Sequence, residues 1–134
     1  MIHEKSCGAV IYTEGEEGRL YLVERMQQGH FSMCKGHVEG KESEQQTAER
    51  EIREETGLAV TFVEGFRETI AYSPYADCRK TVVFFLAHAG SRRVTPQEEE
   101  VSEIRWLPYE EALAALTFDS DRDVLRRAEE FLGD

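Results

Sequence analysis

Apolar and polar residues follow two periods along the chain, one typical of strands and one typical of helices. Five stretches rich in β-branched and aromatic residues are predicted as strands: 5–12, 19–25, 58–72, 80–88 and 101–107. The polar segment 13–18 predicts a turn, so the first two strands should form a hairpin. The stretch 80–88 is almost continuously apolar, which predicts burial on both faces, and Gly65 marks an expected bulge. No element is predicted for 26–35.

Helices are predicted at three places, 44–56, 108–116 and 121–132. The first should start where Ser43 and Gln46 have the spacing of a capping box. It should end at Gly57, because glycine takes the left-handed conformation that stops a helix. A second box-like pair, Ser120 and Asp123, predicts the start of the last helix.

Strands on both sides of the first helix, with two helices after the last strand, predict an α/β fold in which a sheet lies between helices. The composition, 40% hydrophobic and 32% charged, is ordinary for a globular protein. No repeat, linker or low-complexity tract divides the chain, so residues 1–134 are predicted to form a single domain.

The net charge of −11 argues against duplex nucleic acid as a partner, since phosphate binding requires a basic surface. It leaves room for a phosphate-rich small molecule if metal ions supply the local positive charge. Cys7, Cys34 and Cys78 are odd in number and far apart, which predicts a reducing compartment without disulfides. With no long apolar run or leader, a cytoplasmic location without membrane contact is expected. A monomer is compatible with the sequence, which does not predict the oligomeric state.

The first predicted helix carries a cluster of carboxylates. Glu51, Glu54 and Glu55 share a face, and like charges at such spacing cost an isolated helix about 0.2–0.5 kcal/mol per pair. Glu54 and Glu55 also lie near the helix end where the dipole disfavours negative charge. A bound cation would compensate, and oxygen ligands suit Mg²⁺ or Mn²⁺. The other interpretation is a solvated face, with Arg50 and Arg53 balancing part of the charge.

The spacing around these carboxylates resembles the signature of the Nudix hydrolases: Gly, five residues, Glu, seven residues, then Arg-Glu-apolar-x-Glu-Glu-x-Gly-apolar. The matching positions are Gly36, Glu42, Arg50, Glu51, Ile52, Glu54, Glu55, Gly57 and Leu58. Seven of them require one residue type, so chance matches are expected on the order of 10⁻⁸ to 10⁻⁹ per start position. The resemblance implies a Nudix-type α/β/α sandwich with a mixed sheet, and metal-dependent hydrolysis of a phosphoanhydride bond.

A more specific resemblance covers most of the chain. Residues 35–39, Lys-Gly-His-Val-Glu, are similar to the asymmetrical diadenosine tetraphosphate hydrolases, although Cys34 and Gly40 stand where that subfamily has prolines. The likeness continues in the same order at 63–66, Tyr72, 80–82, 105–107 and Phe118.

These resemblances imply a set of metal ligands: the carbonyl of Gly36 and the carboxylates of Glu51, Glu54, Glu55 and Glu100. Arg50 corresponds to the residue that orients Glu51, and Glu42 to a supporting carboxylate. The general base varies within the family: it is either a carboxylate of this signature, which we call the box, or a carboxylate on a later loop. On that loop Glu100 is the candidate and Glu99 is nearly its equal, while the run 98–100 is also compatible with a solvated loop.

The resemblance also implies a substrate-binding set of His30, Lys35, His37, Tyr72, Lys80 and Phe118. His30 and Lys80 would contact phosphate oxygens, and His37 would either assist them or only shape its loop. Tyr72 and Phe118 would stack on an adenine ring, since every base has a π-face.

The expected reaction is Mg²⁺-dependent cleavage of diadenosine tetraphosphate to ATP and AMP. The alternatives within the class are a nucleoside diphosphate sugar, ADP-ribose, an oxidised nucleoside triphosphate and a 5′-capped RNA end. A nucleotide-sensing module without catalysis is the alternative from another class. It is disfavoured because such a module is expected to have lost carboxylates of the box, and this box is complete.

Overall fold

The computed structural model describes residues 1–133. Within them the strands are β1 (Ile2–Gly15), β2 (Gly18–Met26), β3 (Phe31–Ser32), β4 (Lys35–His37), β5 (Val60–Tyr72), β6 (Cys78–Ala89) and β7 (Val101–Pro108). The helices are α1 (Glu44–Thr56), α2 (Tyr109–Ala115) and α3 (Asp119–Leu132). Each predicted element is present, with its ends shifted by three residues or fewer. None of these helices is both long and apolar enough to cross a membrane.

The sheet contains both parallel and antiparallel pairs. β1 runs parallel to β6, in a register that joins Ile2 to Cys78 and Tyr12 to His88. The other pairs are antiparallel: β2 and β4 lie against β1, β3 and β7 against β2, and β5 against β6. Because β1 pairs with β4 near its start and with β2 near its end, a gap opens in the sheet between β2 and β4.

Helices cover both faces of this mixed sheet. Along β6 the side chains alternate: Phe84 packs in one core with Leu125 of α3, and Phe85 packs in the other core with Ile52 of α1. Both cores are therefore built on the same strand, which confirms that 80–88 is buried on both faces. The predicted sandwich of a mixed sheet between helices is confirmed.

The ends of α1 are fixed as predicted. The hydroxyl of Ser43 accepts a hydrogen bond from the backbone N–H of Gln46 at 3.1 Å, and the Gln46 side chain accepts from the Ser43 N–H at 2.8 Å. Gly57 takes the left-handed conformation, with φ of 77°, and donates its N–H to the carbonyl of Arg53. These two ends orient the acidic face of the helix.

Two sequence predictions need correction or completion. The start of α3 was placed at a box on Ser120, and this is wrong: the helix begins at Asp119, with Phe118 at the cap position and no side-chain cap. Segment 26–35, for which no element was predicted, includes β3, which is short because it pairs only with the end of β2. The bulge at Gly65 is confirmed by a shift in the β5–β6 register. The three cysteines are buried and free, as expected.

Candidate active site

Gly36 lets β4 approach α1 closely. The carboxyl group of Glu51 occupies the space where a side chain at residue 36 would lie, so any Cβ there would overlap it. Cys7 of β1 pairs with Gly36 and holds it in the sheet. Gly36 and Glu51, which were predicted to share a metal, are therefore in direct contact, with Gly36 in β4 rather than in a loop.

Arg50 connects the carboxylates of the α1 face. Its guanidinium donates to Glu42 at 2.7 Å, to Glu51 at 3.1 Å and to Glu54 at 3.1 Å. It also donates to the backbone carbonyl of His37 at 2.9 Å, which ties the helix to the loop after β4. These contacts hold the pKa of Glu42 at about 2, with Arg50 as the largest cause. The predicted orienting contact between Arg50 and Glu51 is present in the geometry.

The box carboxylates extend from solvent into the protein. The Glu54 side chain is 47% exposed and that of Glu51 is 12% exposed, whereas residue Glu55 is buried at 2%. Burial, followed by the neighbouring charge of Glu55, raises the pKa of Glu51 to about 7. Burial and the carboxylate of Glu24 also raise the pKa of Glu55 well above 4.5. The inner carboxylates of this helix face therefore have too little positive charge beside them.

Glu24 of β2 and Cys34, just before β4, complete the inner side of the site. Sequence reasoning missed both residues. Glu24 directly follows the apolar residues 21–23 and is buried with them. A carboxylate at that place in a strand is a signal that could have been used. Burial, followed by the carboxylates of Glu24 and Glu55, raises the pKa of the Cys34 thiol.

Outside the sheet, a pocket of about 560 Å³ contains most of the predicted chemistry. We call it the carboxylate pocket; its walls include Lys35, Gly36, His37, Glu51, Glu54, Lys80 and Glu100. The predicted metal ligand Glu55 lies behind it and does not line it.

The loop before β7 brings Glu100 to the carboxylate pocket. Two backbone hydrogen bonds fix this loop, from Gln97 to the carbonyl of Glu55 at 3.1 Å and from Gln27 to the carbonyl of Glu100 at 2.9 Å. Glu99 lines only an adjoining groove, which shares Met26, Gln28 and Glu100 with the carboxylate pocket. The geometry therefore distinguishes two glutamates that were nearly equal in the sequence.

Two lysines lie in the same pocket as these carboxylates. Lys35 and Lys80 both line the carboxylate pocket, and burial together with the charge of Lys35 lowers the pKa of Lys80. Two ammonium groups placed together in this way make a site suited to an anion with several oxygens.

A second pocket of about 580 Å³ adjoins the first, and Gln28 and Lys35 line both. We call it the aromatic pocket; its walls include His30, Ile70, Tyr72, Pro74, Phe118 and Asp121. Tyr72 and Phe118 are 39% and 50% exposed, so their rings are available to a ligand. His30 lies here, its ring centroid 5.6 Å from that of Phe118, and does not line the carboxylate pocket.

Asp121 was not recognised from the sequence as a site residue. It lies in the first turn of α3, is only 4% exposed, and lines the aromatic pocket. Burial raises its pKa, against the opposing effects of Lys35 and His30. A carboxylate among aromatic walls can accept hydrogen bonds from the amino group of a base.

Comparison with known proteins agrees with this geometry. A family model described as NUDIX domain matches residues 3–128. The chain belongs to the Nudix family. It is a Nudix hydrolase, of the pyrophosphohydrolase type, in a family that generally uses divalent metals.

Curated relatives and solved structures cover nearly the whole of this Nudix hydrolase. The asymmetrical bis(5′-nucleosyl)-tetraphosphatase of Sus scrofa is 36% identical over 107 residues, 77% of this chain and 72% of that protein. The Mus musculus protein of the same name is 30% identical over 146 residues, 96% and 95% of the two chains. The crystal structure of a C. elegans Ap4A hydrolase binary complex matches with a TM-score of 0.88 and 27% identity, over 96% of this chain and 97% of that chain.

Proposed function

We propose that this Nudix hydrolase cleaves diadenosine tetraphosphate to ATP and AMP with the help of Mg²⁺ or Mn²⁺. One observation carries the proposal. The carboxylate pocket, which also contains the lysine pair, adjoins the aromatic pocket, and Gln28 and Lys35 line both; we call the two pockets together the cleft. That arrangement corresponds to the metal-bound phosphates, the remaining phosphates and the base of a nucleoside polyphosphate. The tetraphosphatase names of the mammalian relatives support the same substrate class.

The acidic side of the cleft fits a divalent metal. Its donors are carboxylate oxygens, which Mg²⁺ and Mn²⁺ prefer, and the buried Oε1 of Glu55 has no hydrogen-bond partner among residues 1–133. The residues that would hold the metal are Glu51, Glu54, Glu55, Glu100 and the carbonyl of Gly36. When bound, the metal would neutralise phosphate charge and lower the pKa of a water molecule.

The protein's own groups would bind and orient the rest of the substrate. Lys35 and Lys80 would contact the phosphate oxygens, and the rings of Tyr72 and Phe118 would hold the adenine. Asp121 would accept a hydrogen bond from the exocyclic amino group of that base.

Proton transfer would fall to a carboxylate that is open to the cleft. Glu54 and Glu100 both line it and are the candidates for taking the proton of the attacking water. Arg50 contacts Glu51 and Glu54, so its role is to keep both carboxylates facing the cleft.

A substrate panel tests the proposal. The purified protein is incubated with Mg²⁺ and diadenosine tetraphosphate, ADP-ribose, a nucleoside diphosphate sugar, 8-oxo-dGTP or capped RNA, and the products are separated chromatographically. We expect the highest kcat/KM for diadenosine tetraphosphate, with ATP and AMP in equal amounts. Release of ADP alone, or a stronger preference for another substrate, would overturn the substrate assignment.

A matched pair of variants tests the role of the metal ligands in the same assay. Glu54→Gln should lower kcat by orders of magnitude while the fold is retained, because the change removes one charge from a crowded helix face. Glu64→Gln, at an exposed position of β5 outside the cleft, should leave kcat unchanged. Absence of hydrolysis of every substrate by the unaltered protein would favour a nucleotide-sensing module.

The protein is also proposed to act in a reducing, cytoplasmic compartment. The three buried cysteines support this, since each is free.

A further inference from the structure

Three potential metal ligands meet behind the carboxylate pocket, in the interior of the protein. They are Glu24 of β2, Cys34 before β4 and Glu55 of α1, which are 1%, 0% and 2% exposed. One carboxylate oxygen from each glutamate and the sulfur of Cys34 all lie within 4.8 Å of one another. The cluster does not line the carboxylate pocket, whose acidic wall residues are Glu39, Glu51, Glu54 and Glu100.

The carboxylates of this cluster lack partners outside it. Both oxygens of Glu24 and Oε1 of Glu55 are buried without a nitrogen or hydroxyl donor among residues 1–133, and each carboxyl group faces the other and the Cys34 thiol. Arg50 satisfies the outer carboxylates, and none of its described hydrogen bonds reaches Glu55. Two carboxyl groups buried together must be neutralised by a proton or by a cation, and with the thiol beside them the three groups make a ligand set for a cation.

We propose that Glu24, Cys34 and Glu55 form a buried binding site for a divalent transition metal of the Zn²⁺ class. A cysteine ligand selects this class, because thiolates bind Zn²⁺ well and Mg²⁺ poorly. As the metal binds, the Cys34 thiol and the protonated carboxyl group of the Glu24–Glu55 pair release their protons to solvent. In a tetrahedral zinc site, sulfur and oxygen ligands lie about 3.6 Å apart, and the three groups here lie no more than 4.8 Å apart before any metal binds.

The site shares one residue with the catalytic metal site proposed above. Glu55 lies between Glu51 on the cleft side and Glu24 on the inner side, and the pKa of Glu51 already responds to its charge. A metal on the inner side would therefore fix the orientation of Glu55. The inference rests on the proposed function only through this shared carboxylate.

Cobalt is the spectroscopic probe for the site. The untagged, metal-free protein is titrated with Co²⁺ under anaerobic conditions while its absorption spectrum is recorded. A cobalt–thiolate bond gives a near-ultraviolet charge-transfer band, which carboxylate-bound cobalt in the cleft does not give. We expect this band to saturate at one equivalent per chain, to disappear in Cys34→Ser, and to persist in Cys78→Ser, which alters another buried free cysteine.

A second variant covers the case in which Cys34→Ser does not fold. Glu24→Gln retains the thiol and should weaken Co²⁺ binding at least tenfold, as judged by the midpoint of the same band. Absence of the band in the unaltered protein, its persistence in Cys34→Ser, or unchanged affinity in Glu24→Gln would each overturn the proposal. Failure of the substrate panel with the band intact would overturn the proposed function alone.

Discussion

Replacing Glu55 by Gln should make the metal-free protein more stable while it destroys activity. In the unaltered protein neither oxygen of Glu24 has a nitrogen donor among residues 1–133, and Glu55 can donate to it only while it holds a proton. A glutamine at position 55 brings an amide group that can donate to Glu24 and carries no charge. Stability and activity should therefore change in opposite directions, which separates a functional carboxylate from a structural one.

The size of the effect follows from the raised pKa of Glu55. Its ordinary value is 4.5, and burial together with Glu24 raises it in the folded state. The folded state therefore binds this proton more tightly than the unfolded state does. The resulting contribution to the free energy of unfolding is complete below pH 4.5 and declines as the pH rises. Over that window each pH unit lowers the free energy of unfolding by up to about 1.4 kcal/mol.

Between pH 6 and pH 8 the free energy of unfolding falls by at most about 2.7 kcal/mol through this group. For a chain of 134 residues this amounts to about 10 °C in Tm. The neutral glutamine contributes no such slope. We therefore expect Glu55→Gln to exceed the unaltered protein in Tm by a margin that grows from pH 6 to pH 8.

Thermal unfolding in EDTA at pH 6, 7 and 8 measures this margin, with Glu64→Gln as the exposed control. Comparing two proteins at each pH largely cancels the titration of other groups. A margin that stays constant across the three pH values, or a variant less stable than the unaltered protein at pH 8, would refute the reasoning. Addition of Mn²⁺ should raise the Tm of the unaltered protein more than that of Glu55→Gln.

Three further changes have clear expectations. Gly36→Ala would force the Glu51 carboxylate aside and should lower kcat about 100-fold. Gly90→Ala, where a Cβ has open space, should leave kcat unchanged. Equal kcat values in the two variants would contradict the close contact between Gly36 and Glu51. Glu44→Gln breaks the paired 2.8 Å hydrogen bonds to Arg67 and the ion pair with Lys5, and should cost about 0.5–1 kcal/mol in urea denaturation at pH 7. Because the folded-state pKa of Glu44 is held at about 2, that difference should decline as the pH falls below 4.5 and vanish below pH 2, and a difference that persists there would exclude the ion pairs as its cause. Tyr72→Ala should raise the KM for diadenosine tetraphosphate about 5- to 100-fold with kcat retained; an unchanged KM would place the base elsewhere.

Local signals in the sequence were sufficient for the elements and for the box. The spacing of Ser43 and Gln46 predicted the start of α1 because a capping box depends on residues only three apart. The continuous apolar run of β6 predicted burial on both faces for a similarly local reason. The same logic misplaced the start of α3, since Ser120 has the chemistry of a cap but lies within the first helical turn.

Residues that act through distant contacts were harder to predict. Asp121 lies in the first turn of α3, and only the packing of that helix against the sheet brings it to the wall that contains Tyr72. Lys80 reaches the cleft because the parallel register of β1 and β6 sets its position, and such a register leaves no signal within either strand. Resemblance to a family identified Lys80, whereas periodicity alone could not.

The gap between β2 and β4 explains why the missed pair, Glu24 and Cys34, lies beside the box. β1 exchanges one partner strand for the other along its length, so β2 and β4 separate and their polar side chains face a space that α1 closes. Glu24 pairs with Ser32 of β3 and Ile104 of β7, so its side chain leaves the sheet on the face that α1 covers, beside Glu55. A buried carboxylate at this point is tolerable only where the fold leaves room for a compensating charge. The topology therefore determines where a cation can bind, and the box determines which carboxylates reach it.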